Sequence, residues 1–133
     1  MIGGSGMVAG AIVDLLRTKS FDEVVVVDLV KPQERHDIPN LCPITFRQCD
    51  ISCLDQLLGA LHDVTHVVHS TAIVDLREYP IQRAMQHNVT LYGTYNVLRA
   101  CILLGIKVSL PSFLVSFSHV RFYITSYSAY GVY

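Results

Sequence analysis

The residues with the clearest chemical potential are glycines close to the first residue of the chain, followed by one acid. Gly3, Gly4 and Gly6 precede a run of apolar residues, and Asp28 ends the valine run at 24–27. Glycines allow a tight turn and let backbone N–H groups approach a ligand where a Cβ would intrude. A helix that begins there directs free N–H groups and its positive dipole end at the ligand, which favours a pyrophosphate.

An acid about 20 residues after such a turn can accept hydrogen bonds from an adenosine ribose. Read from Gly4, the spacing is G-x-G-x-x-A and ends at Ala9; read from Gly3, it is G-x-x-G-x-x-A. Both fall within the dinucleotide-binding pattern, since alanine is tolerated at the third position. The alternative is a glycine turn before an ordinary helix.

Apolar spacing and turn residues predict the elements that must position these groups. We expect helices from the glycine turn to about Thr18, over Cys53–Leu61 and from Pro80 to near Gly105, and strands over Val24–Leu29, Ile44–Gln48, Val64–Ser70 and Phe122–Ser126. This order predicts the α/β class, with a Rossmann-like doubly wound parallel sheet and right-handed crossovers. The sheet is incomplete, because only Met1 and Ile2 stand where the central first strand belongs.

Composition and charge exclude several other classes of protein. The 133 residues form one domain at most, and 51% hydrophobic residues favour strands buried on both faces. A net charge of −1 without a basic stripe argues against nucleic-acid binding. The apolar stretch 101–117 is interrupted by Lys107 and Pro111 and is a poor membrane span, and we expect no signal peptide.

Cysteine and histidine spacing gives no metal site. The four cysteines lack paired C-x-x-C spacing, so we expect reduced structural thiols. His66 and His69 are three residues apart on a predicted strand and therefore lie on opposite faces. No metal is predicted.

A longer set of residues resembles one known family. In chain order these residues are Asp28, Asp50-Ile51, the stretch VVHSTAIVD at 67–75, Asn88-Val89 and Gly93-Thr94. The chain resembles the N-terminal part of an extended short-chain dehydrogenase/reductase, and within that superfamily the 3β-hydroxysteroid dehydrogenase/isomerase family. The resemblance implies an NAD-dependent oxidoreductase that oxidises a 3β-hydroxysteroid in steroid biosynthesis or metabolism.

The resemblance implies roles for residues at the pyrophosphate and ribose. The pyrophosphate of NAD would be cradled by Gly3, Gly6 and the backbone around Met7 and Val8. Asp28 would hold the adenosine ribose, and its charge would repel the 2′-phosphate of NADP. Arg35 in the following loop is the one argument for NADP, and a solvated arginine is the alternative.

Two further positions are assigned in the same way, each with a structural alternative. Asp50 and Ile51 are similar to the pair that flanks adenine, the acid accepting from the exocyclic amine. Asp50 and Ser52 also suit a helix N-cap. Asn88 is similar to the family's helix asparagine near the active site, and a polar residue on a helix flank is the alternative.

The catalytic part of the family pattern is incomplete in this chain. Ser70, Thr71 and Ala72 end a central strand, where small residues let the nicotinamide-side ribose pass. Ser126 is the hydroxyl expected to position the substrate oxygen, with Ser128 second. No Tyr-x-x-x-Lys occurs in the 133 residues. The C-terminal half and the substrate domain are also missing, so we expect no activity from this chain alone.

The resemblance implies a sterol or steroid as the small-molecule substrate and leaves a homodimer open. Membrane association would arise only through the missing C-terminal region, and the expected location is cytoplasmic or the cytoplasmic face of the endoplasmic reticulum. The rival interpretations are an extended reductase, epimerase or dehydratase acting on a nucleotide-sugar or a flavonoid-like ketone, a non-catalytic dinucleotide-binding module, and a truncated product without function.

The resemblance fails over Val108–Val120, an apolar and nearly uncharged segment. Without it, Lys107 would run directly into Arg121 and the predicted strand Phe122–Ser126, a connection of the usual short length. We interpret the segment as non-native, namely translated non-coding sequence such as a retained intron, with the shortened first strand as a second sign of a faulty gene model. The alternative is a genuine β-hairpin or a membrane-contacting insert.

Sequencing of transcripts across the Lys107 and Arg121 codons tests this interpretation. We expect reads in which the codons for residues 108–120 are spliced out. Reads that uniformly retain them would contradict a retained intron and favour a genuine insert.

Overall fold

The predicted helices and strands are all present in the structure, which is a computed structural model. It describes residues 1–33, 37–73, 80–116 and 119–127, and from residue 108 onward the description concerns the backbone only. In chain order the elements are α1 (Met7–Leu16), β1 (Val24–Asp28), β2 (Ile44–Gln48), α2 (Leu54–Leu61), β3 (His66–Val68), α3 (Pro80–Gln86), a π-helix (His87–Gly93), α4 (Thr94–Leu104), β4 (Lys107–Ser116) and β5 (His119–Tyr127).

The two residues before the glycine turn join the sheet at its centre. β1 pairs in parallel with β2, and β3 pairs in parallel with β4. Ile2 forms parallel bridges to both Val27 and His69. Its N–H donates to the carbonyl of Val68 at 2.9 Å, and the N–H of Gly3 donates to that of Val27 at 2.8 Å. The described strands therefore run β2-β1-(1–2)-β3-β4-β5, and the shortened first strand occupies the predicted central place.

Helices cover both faces of the sheet, which explains why its strands are apolar on both sides. On one face Met1 and Val26 pack with Ala9 and Val13 of α1. On the other face Ile2 belongs to a larger cluster with residues of α2 and α4, among them Leu57, Leu61, Val97, Ala100 and Cys101. Such two-sided burial is typical of parallel sheets with helical crossovers.

Burial also affects the ionisable groups of the core. The ammonium of Met1 donates to the carbonyl of Val25 at 2.6 Å, and desolvation lowers its pKa to about 6. Desolvation raises the pKa of the Cys49 and Cys101 thiols to about 11. Among the described residues no cysteine forms a disulfide.

The predicted long helix runs from residue 80 to 104, but it is not uniformly α-helical. It begins at Pro80, where a proline loses no helical hydrogen bond, and passes through the π-helix before α4. Gly105 ends it in the left-handed conformation with φ of 66°, and the N–H of Ile106 donates to the carbonyl of Cys101 at 2.8 Å. No helix in the described part of the chain has the length and apolar character needed to cross a bilayer.

The strand that follows α4 differs from the prediction. Phe122–Ser126 lies within β5 as expected, but β5 runs antiparallel to β4, and β4 occupies the parallel place beside β3. Apart from Lys107, all of β4 belongs to the segment 108–120 that we interpret as non-native. In the structure most of this segment is therefore a strand that pairs antiparallel with β5. The interpretation of its origin stays a prediction.

Replacing Ile2 tests the importance of the central segment. Ile2 is fully buried, and Ile2→Ala should lower the free energy of unfolding by about 2–5 kcal/mol, because it removes core contacts and leaves a cavity. Ile102→Ala is the matched control, since Ile102 is 69% exposed and its truncation should change stability by under about 0.5 kcal/mol. Urea denaturation followed by circular dichroism measures both, and equal effects would contradict a central role for Ile2.

Candidate dinucleotide-binding site

Four loops meet at the carboxyl edge of the sheet. The glycine turn follows Ile2, Asp28 ends β1, Asp50 follows β2 and Ser70 follows β3. β1 and β3 lie on opposite sides of the 1–2 segment, so the chain leaves this segment towards β1 and crosses after β2 to the other side, at β3. Crevices at such switch points are where open α/β sheets bind ligands.

The glycine turn lies against the end of β3 too closely for a side chain. Gly3 has φ of 78°, and a Cβ there would stand 2.5 Å from Oγ1 of Thr71 and 3.0 Å from the Thr71 backbone nitrogen. At Gly4, a Cβ would stand 2.6 Å from Cγ1 of Val26. Glycine is therefore required at both positions by conformation or by space.

The first turn of α1 presents backbone N–H groups that no side chain caps. Gly6 is the N-cap residue, and the first turn carries no acid. Met7 is 90% exposed, so the start of the helix faces solvent at the crevice. An uncapped helix N-terminus beside a glycine turn suits a diphosphate.

Asp28 is fixed at the side of the glycine turn. Its Oδ1 accepts a hydrogen bond from the N–H of Leu29 at 2.7 Å, and its Oδ2 accepts one from the N–H of Ser5 at 3.0 Å. The Ser5 hydroxyl in turn donates to the carbonyl of Val30. The carboxylate is thereby held next to the glycine turn.

The loop after β2 is held by a network centred on Asp50. Oδ1 of Asp50 accepts from the N–H of Ser52 at 2.8 Å and from its hydroxyl at 2.7 Å. Oε1 of Gln56 accepts from the N–H of Asp50 at 2.8 Å. The N-cap of α2 is Cys53, without a side-chain cap, so Asp50 forms a turn before the helix rather than capping it. Ile51 beside it is buried.

The loop after β3 brings three small residues to the same crevice. The N–H of Ser70 donates to the carbonyl of Ile2 at 3.0 Å, which holds the loop beside the glycine turn. Oγ1 of Thr71 is buried and has no hydrogen-bond partner among the described residues, and Ala72 is exposed. A buried hydroxyl without a partner at the mouth of a glycine-lined crevice fits a polar ligand there.

His69 lies buried directly before these residues. Its Nε2 is 3.0 Å from Oγ1 of Thr94, and desolvation lowers its pKa to about 4, so the imidazole is neutral near pH 7. His62 and His66 are exposed and hydrogen-bond locally to Gly59 and Thr65. Within the described ranges no three metal-ligating side chains come together.

Sequence reasoning gave no site role to Ser5, Thr94 or Asn96, although each contacts a loop of the crevice. The available signal for the latter two was their position as polar residues at the start of α4. Asn88 is exposed in the π-helix, so its predicted role near the active site stays a prediction. Arg35 and Ser128 lie outside the described residues.

Ser126 is not brought to the crevice in this structure. Ser126 of β5 pairs with Ser109 of β4, and Ser109 pairs with Val68 of β3. The backbone of Ser126 is therefore separated from β3 by β4 and lies beside the last residue of β3, not beyond the end of that strand. The cause is the antiparallel direction of β5, along which rising residue numbers lead away from the carboxyl edge. The predicted role of Ser126 at the site stays a prediction.

Comparison with known proteins identifies the family. A model of the 3-beta hydroxysteroid dehydrogenase/isomerase family matches residues 1–118. The chain belongs to this family. The family prediction made from the residues is thereby confirmed.

Two individual proteins show the similarity of this family member to known sequences and structures. A 3 beta-hydroxysteroid dehydrogenase/Delta 5-->4-isomerase of Monkeypox virus is 36% identical over 108 residues, which is 79% of this chain and 30% of the viral protein. UDP-glucose 4-epimerase of Thermus thermophilus, solved with NAD, is 26% identical with a TM-score of 0.65 over 80% of this chain and 34% of its own.

A further solved structure shows the same fold at lower identity. MoeE5, in complex with UDP-glucose and NAD, has a TM-score of 0.71 at 21% identity over 85% of this chain and 35% of its own. The predicted α/β fold is confirmed, and the predicted cofactor is the one bound in both solved neighbours. The chain spans about a third of the length of the proteins that it matches.

The buried imidazole makes the stability of this family member depend on pH. Below pH 6.5 the unfolded chain protonates His69, whereas the folded chain does so only near pH 4, so stability is lost as pH falls through this window. Between pH 7 and 4.5 the unaltered chain should lose on the order of 2 kcal/mol more than His69→Asn. Urea denaturation at both pH values measures this, and equal losses would show that His69 is not protected from protonation.

Proposed function

We propose that this chain is the NAD-binding part of an NAD-dependent oxidoreductase that oxidises the 3β-hydroxyl group of a steroid. The observation that carries the proposal is the meeting of the glycine turn, Asp28 and the Ser70–Ala72 loop at one edge of the sheet. Membership of the 3β-hydroxysteroid dehydrogenase/isomerase family supports the same conclusion.

The adenosine half of NAD would lie between the glycine turn and the loop after β2. Gly3 and Gly6 would let the pyrophosphate approach closely, and the backbone N–H groups around Met7 and Val8 would hold it, because the first turn of α1 is uncapped and exposed. Asp28 would accept hydrogen bonds from the ribose hydroxyls and repel a 2′-phosphate. Asp50 and Ile51 would flank the adenine.

The nicotinamide half would lie over the loop after β3. Ser70, Thr71 and Ala72 are small enough to admit the second ribose, and the buried Thr71 hydroxyl is a group to which that ribose offers a partner. Asn88 would stand beside the reacting end of this half. When bound, NAD supplies the nicotinamide C4 position that accepts a hydride from the substrate carbinol.

Whether Ser126 can orient the substrate oxygen depends on the presence of the segment 108–120. If Arg121 followed Lys107 directly, Arg121 would take the place of Val108 opposite Val67, and Ser126, five residues later, would stand opposite Ala72. A parallel strand in that register carries Ser126 to the carboxyl edge, where its hydroxyl can orient the substrate oxygen. The proposed catalytic role therefore belongs to the chain without residues 108–120.

The proton released during alcohol oxidation needs an acceptor. An unperturbed tyrosine, with a pKa near 10, is a poor base at neutral pH unless a neighbouring lysine lowers that pKa. The 133 residues contain no Tyr-x-x-x-Lys. We therefore propose that this chain binds NAD without oxidising a substrate by itself.

A sugar nucleotide is the second candidate substrate class. The observation that favours it is the fold shared with UDP-glucose 4-epimerase, which is 26% identical to this chain. The steroid is preferred because the family match and the viral relatives both carry steroid names. A non-catalytic NAD-binding module is consistent with the same crevice.

Replacing Asp28 tests the proposed cofactor contact. Asp28→Ala should weaken NAD binding to the 133-residue chain by about 1–3 kcal/mol, the usual cost of leaving buried polar groups unpaired. Binding of NADP should weaken less, because the variant also loses the charge that repels the 2′-phosphate. Isothermal titration calorimetry with both dinucleotides measures the two effects.

Asp22→Ala is the matched control, because Asp22 is exposed just before β1. It should leave both affinities unchanged. If Asp28→Ala bound NAD as tightly as the unaltered chain does, the ribose would have to be held elsewhere.

A further inference from the structure

One side chain of α4 holds the loop proposed to flank the adenine. The amide nitrogen Nδ2 of Asn96 donates to the carbonyl of Ile51 at 3.2 Å and to that of Ser52 at 2.9 Å. These are two successive backbone carbonyls in a loop 44 residues away along the chain. An amide that bridges successive carbonyls fixes the peptide plane between them.

The constraint extends from Asn96 to the Asp50 carboxylate. Asn96 holds the carbonyl of Ser52, and Ser52 donates both its N–H and its hydroxyl to Oδ1 of Asp50. With Oδ1 occupied in this way, the orientation of the carboxyl group is set, and Oδ2 is the oxygen that can accept from a ligand. Asn96 therefore acts on the Asp50 carboxylate through Ser52, without touching the ligand.

Gly93 adds a steric constraint on the same loop. A Cβ at Gly93 would stand 2.5 Å from Cδ1 and 2.6 Å from Cγ1 of Ile51, so the helix backbone contacts the isoleucine directly. Gly93 ends the π-helix, and Asn96 lies three residues later on the same helix face. A π-helical turn changes the angular position of every residue that follows it. The turn at 87–93 therefore determines which face of α4 meets the loop.

The same helical segment holds the loop on the other side of the crevice. Oγ1 of Thr90 accepts from the N–H of Ile73 at 3.3 Å, and Oγ1 of Thr94 is 3.0 Å from Nε2 of His69. Thr90 and Thr94 are four residues apart and so share a helix face. Side chains of residues 90–96 thus form hydrogen bonds both with the loop after β2 and with residues at and after the end of β3, and these two regions border the proposed dinucleotide crevice.

We propose that Asn96 is a positioning residue that sets the preference of the site for adenine over other purine bases. The inference rests on the proposed function, since it requires NAD in this crevice. Asn96 fixes the Ile51–Ser52 peptide, Ser52 fixes the carboxylate of Asp50, and that carboxylate distinguishes an exocyclic amino group from a carbonyl. Loss of the amide should therefore lower base discrimination more than it lowers overall dinucleotide affinity.

The test compares NAD with nicotinamide hypoxanthine dinucleotide, in which a carbonyl replaces the 6-amino group of the adenine. Calorimetric titration of the 133-residue chain gives both dissociation constants. The unaltered chain should prefer NAD, and Asn96→Leu should reduce the ratio of the two constants by about 2- to 10-fold, the range for one lost hydrogen bond. Tyr95→Leu is the matched control, because Tyr95 is 61% exposed on the same turn, and it should leave the ratio unchanged.

A second measurement needs no ligand. The N–H of Ser52 is bonded to Asp50 Oδ1, and the N–H of Cys53 to the Asp50 carbonyl at 3.0 Å. Hydrogen exchange at these two amides should be faster in Asn96→Leu than in Tyr95→Leu. Asn96→Asp, which keeps the side-chain size and removes the donor, should behave like Asn96→Leu and covers the case in which leucine prevents folding.

The outcomes separate this inference from the function on which it rests. Tight NAD binding with an unchanged base preference in both Asn96 variants would overturn the positioning role and leave the proposed function intact. Absence of binding of either dinucleotide to the unaltered chain would overturn the proposed function, and the positioning role with it. A reduced preference together with faster exchange at Ser52 and Cys53 supports the inference.

Discussion

The backbone hydrogen bonds of Met1, Ile2 and Gly3 hold the two halves of the sheet together. They reach β1 through Val25 and Val27, and on the other side they reach Val68 of β3 and Ser70 just after it. Without them, the β1–β2 pair and the β3–β4–β5 group would be separate sheets. The glycine turn, Asp28 and the loop after β3 meet only because this short segment fixes the distance between β1 and β3.

The same segment has to serve packing as well as pairing. Met1 and Ile2 project to opposite faces, so each belongs to a different apolar cluster. A strand of two residues therefore contributes to both layers of the core, with an ammonium group buried at its start. This segment must also provide hydrogen-bond partners for the buried N–H and C=O groups of the strands on both sides.

Much of the fold could be predicted from local patterns. The valine run of β1 and the proline and glycine that bound the long helix act through short-range propensity, and their elements appear as expected. The glycine turn was also predictable, because Gly3 requires a positive φ and closeness to Thr71 that other residues do not tolerate.

The features that sequence reasoning missed depend on tertiary contacts. The Asn96 amide binds a loop 44 residues away, and no local pattern specifies that partner. The strand that contains Ser126 runs antiparallel to β4, and strand direction depends on long-range pairing that local residue patterns do not specify. The π-helix at 87–93 likewise has no propensity signature of its own.

The hairpin of β4 and β5 changes more than the position of a serine. β5 is nine residues long and forms the outer edge of the described three-stranded sheet. The edge of a sheet offers a row of N–H and C=O groups to any extended polypeptide, which is the starting point for self-templated aggregation. Residues 108–120 supply almost all of β4, so within the described residues the open edge of β5 owes its position to that segment.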